Sequence, residues 1–312
     1  MPRSDAPHAP QEGGEPLVSV GIPTFNRLPM LRRAAESVLA QDYANLELVI
    51  CDNASTDETQ TWCETLAARD SRVRYFRQAI NVGATANFND VFARSRGRLY
   101  MVLGDDDWLG PSYVSRCAET LLSKPDLAVV CGEPHMFLED QFLYQGRKMN
   151  MLQESAAHRV AAYLWQVGEN VPFHGLMRRE VAAALPPLRE VLAGDWLFVA
   201  SLAFIGKIRT LDNTWINKSV AGTTGSWAKL LRWTRLPPFS AKIPYLIITG
   251  TVVKEIAWGS PAYASAGRLG RIQIAWLATL ALLAKFAVWS VAVVAKWLWS
   301  RFTSRPFPLR AR

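Results

Sequence analysis

The sequence predicts an α/β fold: a mostly parallel sheet with helices on both faces, followed by an apolar, helical C-terminal segment. Short apolar runs alternate with amphipathic stretches from residue 17 onward, the pattern of a doubly wound sheet. Several of these runs are apolar at almost every position, as strands covered on both faces must be. One of them, Leu99-Tyr-Met-Val-Leu103, passes through Gly104 straight into Asp105, Asp106 and Asp107. Ligand sites of open α/β sheets lie at the carboxyl ends of the strands, and three adjacent carboxylates repel unless a cation neutralises them. The acidic turn is read as a candidate site for a divalent ion or a metal–pyrophosphate complex. The competing reading is a solvated turn leading into a helix near Ser112.

The elements follow in order. Leu17 to Ile22 forms a first strand, stopped by Pro23. From Arg27 to Gln41, Leu31, Ala35, Val38 and Leu39 share one helical face. Leu46 to Cys51 is a second strand, after which Ser55 and Glu58 predict a capping box for a helix reaching about Arg69. Arg72 to Phe76 predicts a strand, Ala84 to Ser95 a helix, Ser112 to Ser123 a helix and Leu127 to Cys131 a strand. Between Gly132 and Asn150 the periodicity fades, which predicts an irregular meander over the site. Helical patterning returns at His158 to Val167 and at Trp196 to Phe204, and the chain contains no internal repeat.

Composition narrows the class. With 312 residues, half of them apolar and a fifth charged, the chain has enough for one large α/β domain with an appendage. Cys51, Cys63, Cys117 and Cys131 show no CxxC spacing and read as reduced core residues. Residues 1–16 lack an apolar stretch and read as a disordered leader. The net charge of +8 is localised: beyond Glu255 there are eight basic residues and no acidic one, so the rest of the chain is balanced at 27 against 27. A basic tail flanking an apolar stretch suggests an anionic membrane surface and argues against a nucleic-acid partner.

Four segments carry a resemblance. They are Val18-Ser-Val-Gly-Ile-Pro-Thr-Phe-Asn-Arg27, Leu48-Val-Ile-Cys-Asp-Asn-Ala-Ser-Thr-Asp-Glu-Thr59, Asn81-Val-Gly83 with Asn87, and Gly104-Asp-Asp-Asp107 with Pro111. In order and spacing they resemble the successive motifs of family 2 glycosyltransferases over about residues 17–220. The resemblance implies a GT-A fold. It also implies inverting, metal-dependent transfer of a sugar from a nucleoside diphosphate sugar to a saccharide or polyprenyl-linked acceptor, in cell-surface polysaccharide or glycolipid assembly. The implied cofactor is manganese or magnesium. A catalytically idle nucleotide-sugar-binding protein on the same fold is the alternative, and retention of Asp52, Asp106 and Asp195 together argues against it. An NAD-dependent Rossmann enzyme is excluded because no GxGxxG follows the first strand.

By this resemblance Asp106 matches the metal-bound aspartate, Asp105 the neighbour that contacts the ribose or the metal shell, and Asp107 is a further metal candidate. The family's usual first acidic residue is Gly104 here. Asp52 matches the aspartate that accepts from the nucleobase imide, Pro23 and Phe25 line the nucleotide pocket, and Asn81 and Asn87 are donor contacts. Asp57 is read as structural, in the first turn of a helix. Inverting transfer also needs a general base, for which Asp195, in Ala193-Gly-Asp-Trp-Leu197, is the candidate. The competing reading of Asp195 is an N-cap for a helix starting at Trp196. His174 and Arg178 lie in the segment expected to face the acceptor.

Expected domains are the leader at 1–16, a GT-A domain at 17–225 and a membrane-associated region at 226–312. Ile272 to Trp299 is long enough to span a bilayer, but Lys285 and Lys296 fall on one helical face, which favours a helix lying in the interface. The expected location is the cytoplasmic face of the membrane, bound peripherally.

Overall fold

Every residue of the first strand, β1 (Val18–Thr24), is buried, because the strand lies inside a parallel sheet. The computed structural model describes residues 14–220 and 243–302. After β1 come α1 (Leu28–Leu39), β2 (Leu46–Asp52), α2 (Thr59–Arg69), β3 (Val73–Arg77), α3 (Ala84–Arg94), β4 (Leu99–Val102) and β5 (Trp108–Leu109). They are followed by α4 (Tyr113–Ser123), β6 (Leu127–Leu138), β7 (Gln141–Gln145), α5 (Ala156–Gln166), β8 (Leu176–Arg178), α6 (Arg179–Ala183), α7 (Gly194–Ile205) and β9 (Lys207–Ser219). The C-terminal helices are α8 (Pro244–Lys254) and α9 (Gly267–Phe302).

The described strands form one sheet in the order β3-β2-β1-β4-β8-β6-β9-β5, with β7 paired to β6. β3, β2, β1 and β4 are parallel. β8 is inserted antiparallel between β4 and β6, β9 runs parallel to β6, and β5 runs antiparallel to β9. Alternate residues face opposite layers. Ile50 and Met101 join Leu31, Cys63, Val114 and Leu121 beneath α1, α2 and α4. Cys51 and Tyr100 join Val91, Tyr163, Val199 and Ile248 beneath α3, α5, α7 and the C-terminal helices.

Three expectations are corrected. The stretch expected to meander carries regular structure, since β6 continues to Leu138 and turns back through β7. Alternation is weak there because β7 lies at an edge with both faces partly exposed. The Ser55–Glu58 capping box does not form: Ser55 Oγ accepts from the Asn26 N–H at 2.9 Å, and the Thr59 N–H donates to Asp57 Oδ1 at 3.1 Å. Asp57 also accepts from the Leu28 N–H at 3.3 Å, so it ties together the starts of α1 and α2.

The third correction concerns the tail. α9 packs on α5 and α8, burying Ile274, Ala275, Ala278, Leu282 and Phe286 in the same core as Val160 and Leu164. Lys285 was expected on a basic face toward lipid headgroups. It turns inward instead: Nζ donates to the carbonyls of Trp165, at 3.2 Å, and Val167, closing the last turn of α5. The outward face of α9 is apolar, with Leu269, Ile272, Trp276, Leu280 and Leu283 all exposed. Residues Pro261–Val291 are long and apolar enough to cross a membrane. Residues 1–13 of the leader expected at 1–16 and the basic residues Arg305, Arg310 and Arg312 lie outside the described residues, as do the side chains of Lys296 and Arg301.

A Cβ on Gly21 would stand 2.0 Å from Val91 Cγ1, so glycine is what lets α3 lie against β1. Gly21→Ala is expected to destabilise the fold by about 1–3 kcal/mol in urea unfolding. Adding Val91→Ala should recover part of that loss, and an unchanged midpoint for Gly21→Ala alone would show that α3 shifts freely.

Candidate active site

The acidic turn sits at the carboxyl end of β4, and its carboxylates are held by side chains from distant parts of the chain. The Thr24 hydroxyl, at the end of β1, donates to Asp105 Oδ2 at 2.9 Å. Arg27 Nη1 bridges Asp105 Oδ1 at 3.1 Å and Asp106 Oδ2 at 3.3 Å. Lys218 Nζ, near the end of β9, pairs with Asp107 Oδ2 at 2.7 Å, and the Ser219 N–H donates to Asp107 Oδ1 at 3.1 Å. Burial pushes the Asp105 carboxyl up to about 6, helped by the charge of Asp106 and opposed by Arg27. Asp106 is also pushed up, by burial and then by the neighbouring Asp107.

Gly104 stands where the family's first acidic residue is usual, and the geometry supplies a reason. A Cβ there would meet Asp106 Oδ1 at 2.9 Å and Asp107 Oδ2 at 3.2 Å. The carboxylates following the glycine occupy the space a side chain would need.

Among the described residues, no group of three His, Cys, Asp or Glu side chains is arranged to enclose a metal ion. The turn fits a cation held from one side, with the remaining oxygens supplied by a ligand. Asp106 suits that role, because its side chain keeps 18% exposure, Arg27 is its one ion-pair partner among the described residues, and its raised pKa would be relieved by a cation. Asp107 is less available, since Lys218 Nζ pairs with its Oδ2 and the Ser219 N–H donates to its Oδ1.

The second region lies at the end of β2. Asp52 is fully buried; its Oδ1 accepts from the Ser55 N–H at 2.8 Å, and its Oδ2 accepts from the Tyr75 hydroxyl at 2.7 Å and faces Arg77 at 3.5 Å. As folded, these partners and its full burial enclose the carboxylate at the end of its own strand. Pro23 is buried, whereas Phe25 is 40% exposed at the rim. Asn81 accepts from Asn53 and from the Gly83 N–H, both at 2.9 Å, and so fixes the turn before α3, where Gly83 takes φ +88°. Asn87 is buried and donates to the Cys51 carbonyl at 2.8 Å, leaving its own Oδ1 with no protein partner.

The third region joins α7 to the acidic turn. Asp195 lies inside the first turn of α7 and not at its N-cap; that position is Ala193, in the left-handed region. Burial raises the Asp195 pKa, opposed first by a hydrogen bond from Asn170 Nδ2 at 2.7 Å. The charge of Lys218 opposes the rise weakly at both Asp195 and Asp106. His174 is buried beneath the turn, with Nδ1 3.0 Å from the Val102 carbonyl and Nε2 4.0 Å from Asp107. Burial and the charge of Lys218 lower its pKa to about 3, so the ring is neutral and donates from Nδ1.

Arg178 is a correction. Its guanidinium donates to the carbonyls of Leu121 and Lys124, at the end of α4, and of Leu127, at 2.6 Å. It pairs in register with Leu99, at the end of β4 remote from the aspartates, and therefore caps a helix away from the acidic turn. Lys218, Arg27, Thr24 and Asn170 are the site residues that pattern reading missed. Arg27 alone had a local signal, as the charged residue ending the first motif.

Folding raises the Asp105 pKa from its ordinary 3.8 to about 6, which favours the protonated form in the folded state. Stability fully present below about pH 4 is thus lost as pH rises through about 6. Asp105→Asn cannot ionise and is expected to escape this loss, worth about 3 kcal/mol at most. Unfolding midpoints measured from pH 4 to 7 with a chelator present would check this, and parallel curves for the two proteins would refute it.

The family model described as "Glycosyl transferase family 2" matches residues 19–185. The Campylobacter jejuni GalNAc(5)-diNAcBac-PP-undecaprenol beta-1,3-glucosyltransferase is 34% identical over 123 residues, covering 39% of this chain. The match covers 37% of that relative's length. An uncharacterized glycosyltransferase of Nostoc is 30% identical over 209 residues, covering 62% of each chain. Among solved structures, Staphylococcus aureus TarS 1–349 superposes with a TM-score of 0.59 at 16% identity, covering 85% of this chain and 70% of TarS 1–349. The mannosyltransferase PcManGT of Pyrobaculum calidifontis, solved with GDP-Man and Mn2+, superposes at 0.51 and 16% identity, covering 95% of this chain and 83% of its own. At that identity the structures establish a shared GT-A-type fold. The family model, matching more than half of the chain and including the acidic turn, establishes that this protein belongs to glycosyl transferase family 2.

Proposed function

We propose that the protein transfers a sugar, with inversion, from a nucleoside diphosphate sugar to a saccharide or lipid-linked acceptor in cell-surface polysaccharide or glycolipid assembly. The observation that carries the reading is the acidic turn at the carboxyl end of β4, where Thr24 and Arg27 hold Asp105 and Arg27 bridges it to Asp106 within the segment that the family model matches. On this reading Asp106 would hold a manganese or magnesium ion at the donor site. When bound, that ion supplies Lewis acidity to the departing diphosphate.

The chain's own residues supply the rest. The Asp195 carboxylate, held at Oδ2 by Asn170, receives the acceptor's hydroxyl proton as the acceptor oxygen bonds to the anomeric carbon. The bond to the diphosphate breaks on the opposite face, which inverts the configuration. His174 stays neutral and adds no charge beneath the turn. Phe25 offers an exposed ring on which a nucleobase stacks, while Asp52 acts at one remove by fixing Tyr75, Arg77 and the turn at Ser55.

Asp106→Asn is expected to abolish metal-dependent transfer while the fold holds, since removing one of three adjacent charges relieves repulsion. Full activity at limiting manganese or magnesium would overturn the metal assignment. Asp195→Asn should bind donor and metal normally but lose about 10²–10⁴-fold in turnover. Near-normal turnover would end the base assignment.

The same reading places the protein peripherally on the cytoplasmic membrane face, with the outward face of α9 in the lipid interface. Support comes from packing. The segment of α9 from Ile274 to Phe286 is docked on the core, so a crossing there would strip off Ala278, Leu282 and Phe286. The remaining helix beyond Phe286 has 16 residues, or about 24 Å, short of the hydrocarbon thickness of about 30 Å. A double change, Trp276→Glu with Leu280→Glu, is expected to move the protein into the soluble fraction with donor affinity unchanged. Persistence in the membrane pellet after both changes would refute this mode of attachment.

A further inference from the structure

The catalytic reading assigns Asp195 a role but leaves unexplained what holds its carboxylate in place. A two-step chain of hydrogen bonds runs to it through the core. The Tyr163 hydroxyl on α5, fully buried, donates to Asn170 Oδ1 at 2.7 Å. Asn170 Nδ2 then donates to Asp195 Oδ2 at 2.7 Å. Asn170 itself is 5% exposed and sits at φ 47°, ψ 44°, a left-handed conformation that costs a non-glycine residue free energy. Asn is among the few side chains that tolerate it, yet glycine would do so without strain.

The directions of the two bonds matter. A tyrosine hydroxyl donating to the amide oxygen fixes which way the Asn170 amide faces, so its N–H points at the carboxylate. Both bonds therefore run toward Asp195, an arrangement suited to the ionised form that a base requires. Burial and the nearby Asp195 hold the Tyr163 hydroxyl well above its usual pKa, so it remains a donor. The other groups acting on Asp195 are its own N–H, that of Trp196, and Lys218 from β9. Of these, Asn170 is the side chain that touches the carboxylate.

We propose that Asn170, oriented by Tyr163, is a positioning residue that keeps Asp195 ionised and fixes the orientation of its carboxylate toward the acceptor. This rests on Asp195 being the general base. Tyr163 links the device to the body of α5, so the position of the carboxylate is set by the core and not by the loop preceding α7.

The test uses the full chain and pH profiles of kcat/KM for donor and acceptor separately. Asn170→Gly keeps the left-handed backbone and deletes the donor. The expected result is about a tenfold loss of kcat at neutral pH, from one lost hydrogen bond to a charged group. The acid limb should move upward and the donor KM should stay the same. Asn170→Asp, nearly isosteric but unable to donate when ionised, should lose more and shift the limb further. Tyr163→Phe should shift it in the same direction by less, and it stands in if Asn170→Gly does not fold. A merely structural role would lower Tm without moving the acid limb, and that outcome overturns the proposal. Asp195→Asn separates the two levels. If it is inactive while the Asn170→Gly limb is unmoved, the relay fails and the base stands. If it turns over normally, the base reading itself fails.

Discussion

The compensation of three adjacent carboxylates by two distant cations is the constraint on which the site depends. Two unit charges 4 Å apart interact by about 4 kcal/mol near a protein surface. Three mutually repelling aspartates would therefore consume much of a domain's net stability of about 5–15 kcal/mol. Arg27, at the entrance to α1, and Lys218, at the exit of β9, remove most of that repulsion. In doing so they pin the ends of β1 and β9 to the end of β4. One formal negative charge is left over, and it is a suitable attractor for a cation that must later release a charged product. The same Lys218 charge helps keep His174 neutral, so nothing beneath the turn competes for Asp107.

Much of the fold was legible because parallel strands buried on both faces leave continuous apolar runs. β1, β2 and β4 and the helices between them lie where the pattern puts them, as does α7. The acidic turn was legible because charge directly after a buried strand has few structural uses. What pattern reading missed are partnerships across the chain. Lys218 lies 111 residues from Asp107, and nothing local to Thr-Trp-Ile-Asn-Lys218 marks it as a counter-ion. β8 is three residues long, too short for any period to show, yet it reverses the sheet beside β4. Arg178 was misread for the same reason: its partners, the last carbonyls of α4, become neighbours only once β8 is inserted.

Periodicity along α9 had a different defect. It identifies which residues share a face but not which face turns inward when both are apolar. Spacing puts Lys285 with Lys296 on one face, a basic stripe suited to the membrane interface, but the end of α5 offers Lys285 unsatisfied carbonyls at the right distance. Stripping Lys285 from the outer face leaves the surface more apolar than the sequence implied, and moves the expected attraction to membranes from charge toward hydrophobic burial.

The shared core under α9 also bears on where this chain can be divided. Ile274, Leu282 and Phe286 each bury a large side chain against α5 and α8, and burial of that kind stabilises by about 1.5–3 kcal/mol per residue. Ending the polypeptide near residue 225 would leave Val160, Tyr163 and Leu164 facing solvent. In a protein whose anchor hangs from a finished globule, trimming the anchor yields a better-behaved catalyst. Here the greasy helix is part of the wall it leans on, and trimming it would uncover an interior.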